Sequence, residues 1–161
     1  MTEKYTILGI DPGTSKIGYG VIKYDNKNYE ALDYGTIDTP PNIENSARVL
    51  TINKKLVDLI RNFKPDFVAV EELFYFKNAK TVIKVAEVRG AITLTVRQSG
   101  VDFVEFTPLQ VKQAVTGYGR AEKSQIQEMT KVILRLKEVP RPDDAADALA
   151  IAICCANSLQ E

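Results

Sequence analysis

The chain has 161 residues, 45% of them apolar and 26% charged, which is the size and balance of one globular domain, and residues 1–161 are read as a single domain. Lys/Arg and Asp/Glu balance at 21 each, histidine is absent, and the two cysteines, Cys154 and Cys155, are adjacent; imidazole acid–base catalysis, histidine metal ligation and a disulfide-stapled scaffold are thereby excluded. No apolar run approaches the roughly 18 residues of a membrane span, and the first residues lack the basic-then-apolar pattern of a signal peptide, so a cytoplasmic protein without a membrane partner is expected.

In chain order, residues 5–10 form an apolar, β-branched run that predicts a strand buried on both faces. It ends in Asp11, and Pro12-Gly13 then turns the chain. Residues 16–24 and 29–37 are two further strand-like runs, with Asp25-Asn26-Lys27-Asn28 as the turn between them. After Thr39-Pro40-Pro41-Asn42, residues 43–63 carry Val49, Ile52, Leu56, Leu59 and Ile60 on one side of a helix. Lys64-Pro65-Asp66 stops it, and 67–70 is a short buried strand running into Glu71-Glu72. Residues 77–98 predict a second long helix whose apolar positions spread over a broad arc, followed by a strand over 101–106. Thr107 caps a helix over 108–116 with Pro108 at its first position. Gly117–Arg120 is a loop, 121–136 is helical, Pro140-Arg141-Pro142 breaks the chain, and 143–158 is an alanine-rich last helix that takes up both cysteines. This order predicts an α/β fold with a mixed sheet, not strict βαβ repetition.

Acidic residues stand where structure alone would not put them. Asp11 closes the first strand, Glu71 and Glu72 close the fourth, and Asp144 and Asp147 share one face of the last helix at spacing three. Taken singly, Asp11 reads equally well as a turn cap, and acids in a first helical turn compensate the helix dipole. Small residues between and after the last pair (Ala145-Ala146, Ala148, Ala150) allow that helix to lie close to the sheet and hold the pair against the strand ends. Converging carboxylates repel, and a bound cation relieves them; oxygen ligands without His or Cys suit Mg²⁺ or Mn²⁺. Residues 77–137 meanwhile carry eleven Lys/Arg against five Asp/Glu, while both flanks are acidic. A basic middle beside an acidic site fits a polyanion whose phosphate reaches metal.

Five motifs then occur in order: Gly9-Ile10-Asp11-Pro12-Gly13-Thr14 with Gly18-Tyr19-Gly20; Val70-Glu71-Glu72-Leu73-Phe74 with Lys77-Asn78-Ala79; Gln110-Val111-Lys112-Gln113; Gly117–Gly119 with Ala121-Glu122-Lys123-Ser124-Gln125; and Asp144-Ala145-Ala146-Asp147-Ala148-Leu149-Ala150. Together they resemble the RuvC family of bacterial Holliday-junction resolvases over about residues 5–155. The resemblance implies an RNase H-like fold, a mixed five-stranded sheet flanked by helices. It implies Asp11, Glu71, Asp144 and Asp147 as catalytic, metal-binding carboxylates, selecting Glu71 over Glu72 and Asp144 over Asp143. It further implies two Mg²⁺ ions per site with Mn²⁺ able to substitute, and paired nicks across a four-way DNA junction that leave 5′-phosphate and 3′-hydroxyl ends. Phe74, Lys77, Lys112, Arg120 and Lys123 become the expected DNA-binding residues, with Phe74 at the crossover. A homodimer and the RuvA–RuvB branch-migration complex are the implied protein partners, and the helix over 77–98, for its broad arc of apolar residues, is the candidate dimer interface.

Other readings stay open on the residues alone. Asp-x-Gly-Thr also opens the phosphate loop of actin-like and sugar-kinase ATPases, which need a second such lobe. A junction-binding scaffold without catalysis, or a nuclease for RNA–DNA hybrids, would show many of the same features.

Overall fold

A computed structural model describes residues 3–72 and 78–160; the expectations at Phe74 and Lys77 lie outside the described residues. The strands are β1 (Lys4–Asp11), β2 (Lys16–Asp25), β3 (Asn28–Asp38), β4 (Phe67–Glu71) and β5 (Asp102–Phe106). The helices are α1 (Asn45–Phe63), α2 (Ala79–Gln98), α3 (Pro108–Thr116), α4 (Lys123–Ile133) and α5 (Asp143–Ser158). The five strands form one sheet in the order β3-β2-β1-β4-β5. β1, β2 and β3 pair antiparallel as consecutive hairpins, whereas β4 joins β1 and β5 joins β4 in parallel. The sheet is therefore mixed, and the carboxyl ends of β1, β4 and β5 share one edge.

Strand alternation divides the core. Ile7 and Ala69 face one side, where they meet α5 in a cluster that includes Leu149, Ile151, Ile153 and both cysteines. Leu8, Ile10, Val68 and Val70 face the other side and pack against Ile52 and Leu56 of α1 and Val88, Ile92 and Val96 of α2. The central strand is thus buried on both faces, as its unbroken apolar run requires. Burial pushes both thiols up to about 12, so they act as small core residues. Among the described residues, no helix is long and apolar enough to cross a membrane.

Three helices are shorter than the periodicity predicts: α2 begins at Ala79, where the Asn78 side chain caps it by accepting from the Lys80 N–H at 2.9 Å. α4 starts at Lys123, not 121, because the Glu122 N–H is taken by the Gln125 side chain at 2.8 Å, a cap that fixes the first turn. It ends before 136 because Arg135 adopts a left-handed conformation with φ 53°. α1 begins at Asn45, not 43, and its end is set by left-handed Lys64, whose N–H bonds the Ile60 carbonyl just before Pro65. At α3 the expected cap is present in full: Thr107 Oγ1 accepts from Gln110 N–H at 3.1 Å and the Gln110 side chain accepts from Thr107 N–H at 2.8 Å.

Candidate active site

The site is built where β1 and β4 end. Gly9 and Asp11 point to the α5 side of the sheet, and Ala69 and Glu71 do the same from the parallel neighbour, where Ile10 pairs with Val70. Glu71 and Asp11 thus leave adjacent strands on one face. Glu72 follows the last strand residue, with its N–H bonded to the Phe106 carbonyl at 2.8 Å.

Close approach of α5 brings the other two acids in, and missing side chains on the sheet permit it. Asp11 lies opposite Gly18, and Gly9 opposite Gly20, across the β1–β2 ladder. A Cβ on Gly18 would sit 1.9 Å from the Asp144 carbonyl oxygen, and one on Gly9 would sit 2.1 Å from that of Ala148. No larger residue fits between helix and sheet at either point. These glycines are site-forming residues that reading the acids alone overlooks, although a glycine within a strand is itself a signal of close backbone approach.

The outcome is a tight acidic triad. Asp11, Asp144 and Asp147 each present a carboxylate oxygen, all within 4.8 Å of one another. Among the described residues, the carboxylates of Asp11 and Asp144 accept no hydrogen bond, which leaves their lone pairs available. Asp143 is outside the triad and is held by Gln127 Nε2 at 3.0 Å, the Arg141 guanidinium and Lys123 at 3.4 Å. Glu71 stands outside the triad but lines one cleft with Asp147, Lys112 and Lys123, a space of about 240 Å³ walled by Val111, Ala121, Ile126, Ala150 and Ile151.

The electrostatics follow from this crowding. Burial, then the charges of Asp147, Glu71 and Asp144, push Asp11 up to about 8. Burial and Asp147 raise Glu71, against the pull of Lys112. Burial also raises Asp147, and Lys123 opposes it. Lys123 is the near counter-ion, 3.4 Å from Asp143 and 3.7 Å from Asp147, and its own pKa is raised chiefly by Asp147. Two ammoniums, Lys123 and Lys112, do not balance three aspartates and a glutamate. An all-oxygen donor set carrying this much unrelieved charge fits a hard divalent cation. Arg120 is exposed on the loop before α4, outside the cleft lining.

Comparison with known proteins bears on the same residues. The family model for "Crossover junction endodeoxyribonuclease RuvC" matches residues 7–155. The chain belongs to the RuvC family. It is 54% identical to the RuvC of Caldanaerobacter subterraneus subsp. tengcongensis over 152 residues, covering 94% of this chain and 92% of that protein. It is 51% identical to the RuvC of Ruminiclostridium cellulolyticum at the same coverage. Among solved structures, Thermus thermophilus RuvC in complex with a Holliday junction substrate superposes with TM-score 0.92 at 35% identity, covering 97% of this chain and 95% of that one. The yeast mitochondrial resolvase Ydc2, at 13% identity and TM-score 0.70, shares the fold. The mixed sheet with helices on both faces is the RNase H-like fold of RuvC.

Proposed function

We propose that this chain resolves four-way DNA junctions through Mg²⁺-dependent hydrolysis at the carboxylate cluster, with Asp11, Asp144, Asp147 and Glu71 as metal ligands. Membership of the RuvC family makes it a crossover junction endodeoxyribonuclease. The observation that carries the metal reading is the triad of carboxylate oxygens within 4.8 Å beside two lysines. We assign two Mg²⁺ ions per site, with Mn²⁺ able to substitute. When bound, such ions activate water and neutralise charge on the leaving oxygen. The chain's own residues do the rest. The glycine-backed approach of α5 fixes Asp144 and Asp147 against Asp11. Lys123 Nζ, already 3.7 Å from Asp147, is placed to donate to a phosphate oxygen drawn into the cleft. Lys112 offsets Glu71 on the other wall. Water attacks phosphorus, the bond to the 3′ oxygen breaks, and 5′-phosphate and 3′-hydroxyl ends result. Phe74, Lys77 and Arg120 are assigned to DNA contact, Arg120 from the exposed loop before α4.

Paired incision needs two sites, and α2 supplies a surface for a homodimer. Ile83 and Leu94 are each 58% exposed and lie, with Gly90, on the side of α2 opposite the buried Val88 and Ile92. Among the described residues nothing lies within 4 Å of a Cβ added at Gly90. Cytoplasmic action alongside the RuvA–RuvB complex and a single nuclease domain over 1–161 complete the proposal. The deciding experiment compares cleavage of a mobile four-way junction, a linear duplex and an RNA–DNA hybrid in Mg²⁺, by wild type and Asp11→Asn. Symmetric nicking of the junction by wild type only is expected. Cleavage by Asp11→Asn at the wild-type rate, or preference for the hybrid, would overturn the reading.

A further inference from the structure

One guanidinium reaches the catalytic strand from the opposite face of the sheet. Arg89, on α2, donates from Nη2 to the main-chain carbonyl of Glu71 at 3.2 Å and to Glu105 Oε2 of β5 at 2.7 Å. Its side chain is 17% exposed, and its Nε is buried without a partner among the described residues. Glu105 pairs across the ladder with Val70, the residue before Glu71. A single planar group therefore ties together α2, the last carbonyl of β4 and the end of β5. At this point strand pairing runs out: Glu71 has Phe106 as its ladder partner, and beyond it the Glu72 N–H makes a closing bond to the Phe106 carbonyl.

We propose that Arg89 is a positioning residue for Glu71, fixing the backbone from which that carboxylate projects into the metal-facing cleft. A strut that served only to attach α2 needs no more than the ion pair with Glu105. The added bond to the Glu71 carbonyl acts on the one residue of β4 whose side chain enters the cleft with Asp147. Withdrawing most of an arginine side chain from water is costly, which argues for a purpose that the two Nη2 bonds serve. Outer-shell partners of this kind alter metal affinity by roughly 10–100-fold when removed.

This rests on the reading of Glu71 as a metal ligand, so the test carries both. Mn²⁺ binding to the DNA-free protein is measured by calorimetry, and the Mg²⁺ concentration for half-maximal junction cleavage is measured alongside melting temperature, for Arg89→Ala, Arg89→Lys, Glu105→Gln and Glu71→Gln. Arg89→Ala should weaken Mn²⁺ binding about ten-fold and shift the Mg²⁺ midpoint equally, with junction binding in Ca²⁺ unchanged. Arg89→Lys should restore part of the loss, and Glu105→Gln, which leaves the bond to the Glu71 carbonyl, should shift the midpoint less than Arg89→Ala. Loss of stability in Arg89→Ala with wild-type Mn²⁺ affinity overturns the inference. If Arg89→Ala does not fold, wild-type Mn²⁺ affinity in Arg89→Lys does so instead. Glu71→Gln separates the two failures: wild-type Mn²⁺ binding there sinks the ligand reading, whereas its loss there with no effect at Arg89 sinks only the positioning role.

Discussion

Replacing Asp11 by asparagine should make the metal-free protein more stable while abolishing cleavage. The carboxyl pKa is pushed from 3.8 up to about 8 by burial and by Asp147, Glu71 and Asp144. Because the folded value is the higher, the folded chain keeps a proton that the unfolded chain has released. The stability this group contributes is complete below pH 3.8 and is lost as pH rises through about 8. At about pH 7 the gap spans roughly three units, and at 1.36 kcal/mol per unit up to ~4 kcal/mol opposes folding. Counter-ions entering the open cleft screen part of this, leaving roughly 2 kcal/mol. For a chain of this length that corresponds to a rise in Tm of roughly 4–8 °C for Asp11→Asn.

Thermal unfolding in EDTA at about pH 4 and about pH 8 measures the effect, since linkage confines it to the higher pH. The two proteins should melt together in acid and separate at the higher pH, the variant melting later. Titrating Mg²⁺ should then raise the wild-type Tm and leave the variant nearly unmoved, so that the gap closes. Equal or lower stability of Asp11→Asn in EDTA at the higher pH would refute the crowding argument. So would a gap of the same size at both pH values.

Three further outcomes follow from other parts of the site. Gly18→Ala places a Cβ 1.9 Å from the Asp144 carbonyl oxygen, so α5 must shift: a stability loss of about 1–3 kcal/mol by denaturant titration is expected, together with weakened Mn²⁺ binding by calorimetry. Lys123→Met removes the counter-ion of Asp147 but also a competitor for metal; single-turnover cleavage should fall by about 10²–10³ while calorimetric Mn²⁺ affinity without DNA does not fall. Ile83→Glu with Leu94→Glu puts charge on the exposed face of α2; light scattering should show a monomer, and junction cleavage should lose its paired, symmetric nicks while far-UV circular dichroism stays unchanged.

How much of this the sequence disclosed depends on whether the signal was local. β1, β4 and α5 announced themselves through unbroken apolar runs and alanine spacing, because burial on both faces leaves no polar position to interrupt the pattern. Asp144 and Asp147 were legible as a pair because helix geometry alone puts them on one face. The ends of α4 were not, since they depend on the Gln125 bond to Glu122 and on Arg135 at positive φ, neither of which periodicity encodes. Pairing of Asp11 with Gly18 is a matter of register, and Arg89 meeting Glu71 is a contact between a helix and a strand 18 positions apart. Neither could be read from spacing along the chain.

The two non-local features explain how a cluster of repelling acids is held. Among the described residues, the carboxylates of Asp11 and Asp144 take no hydrogen bond, so side-chain partners do not hold them. Backbone placement does. Gly9 and Gly18 let the carbonyls of Ala148 and Asp144 descend onto β1 and β2 from the α5 side, and the Arg89 guanidinium grips the Glu71 carbonyl from the α2 side. Fixing acids through their main chain keeps their oxygens unspent, and α5 has Leu149, Ile151 and Ile153 fully buried to oppose the repulsion. At roughly 1.5–3 kcal/mol for each buried side chain of this size, those three alone exceed the roughly 2 kcal/mol assigned above to Asp11 after screening. The acids are therefore kept together by the hydrophobic seating of one helix. Substitutions deep in that seat, such as Leu149→Ala, should loosen metal binding without touching a ligand.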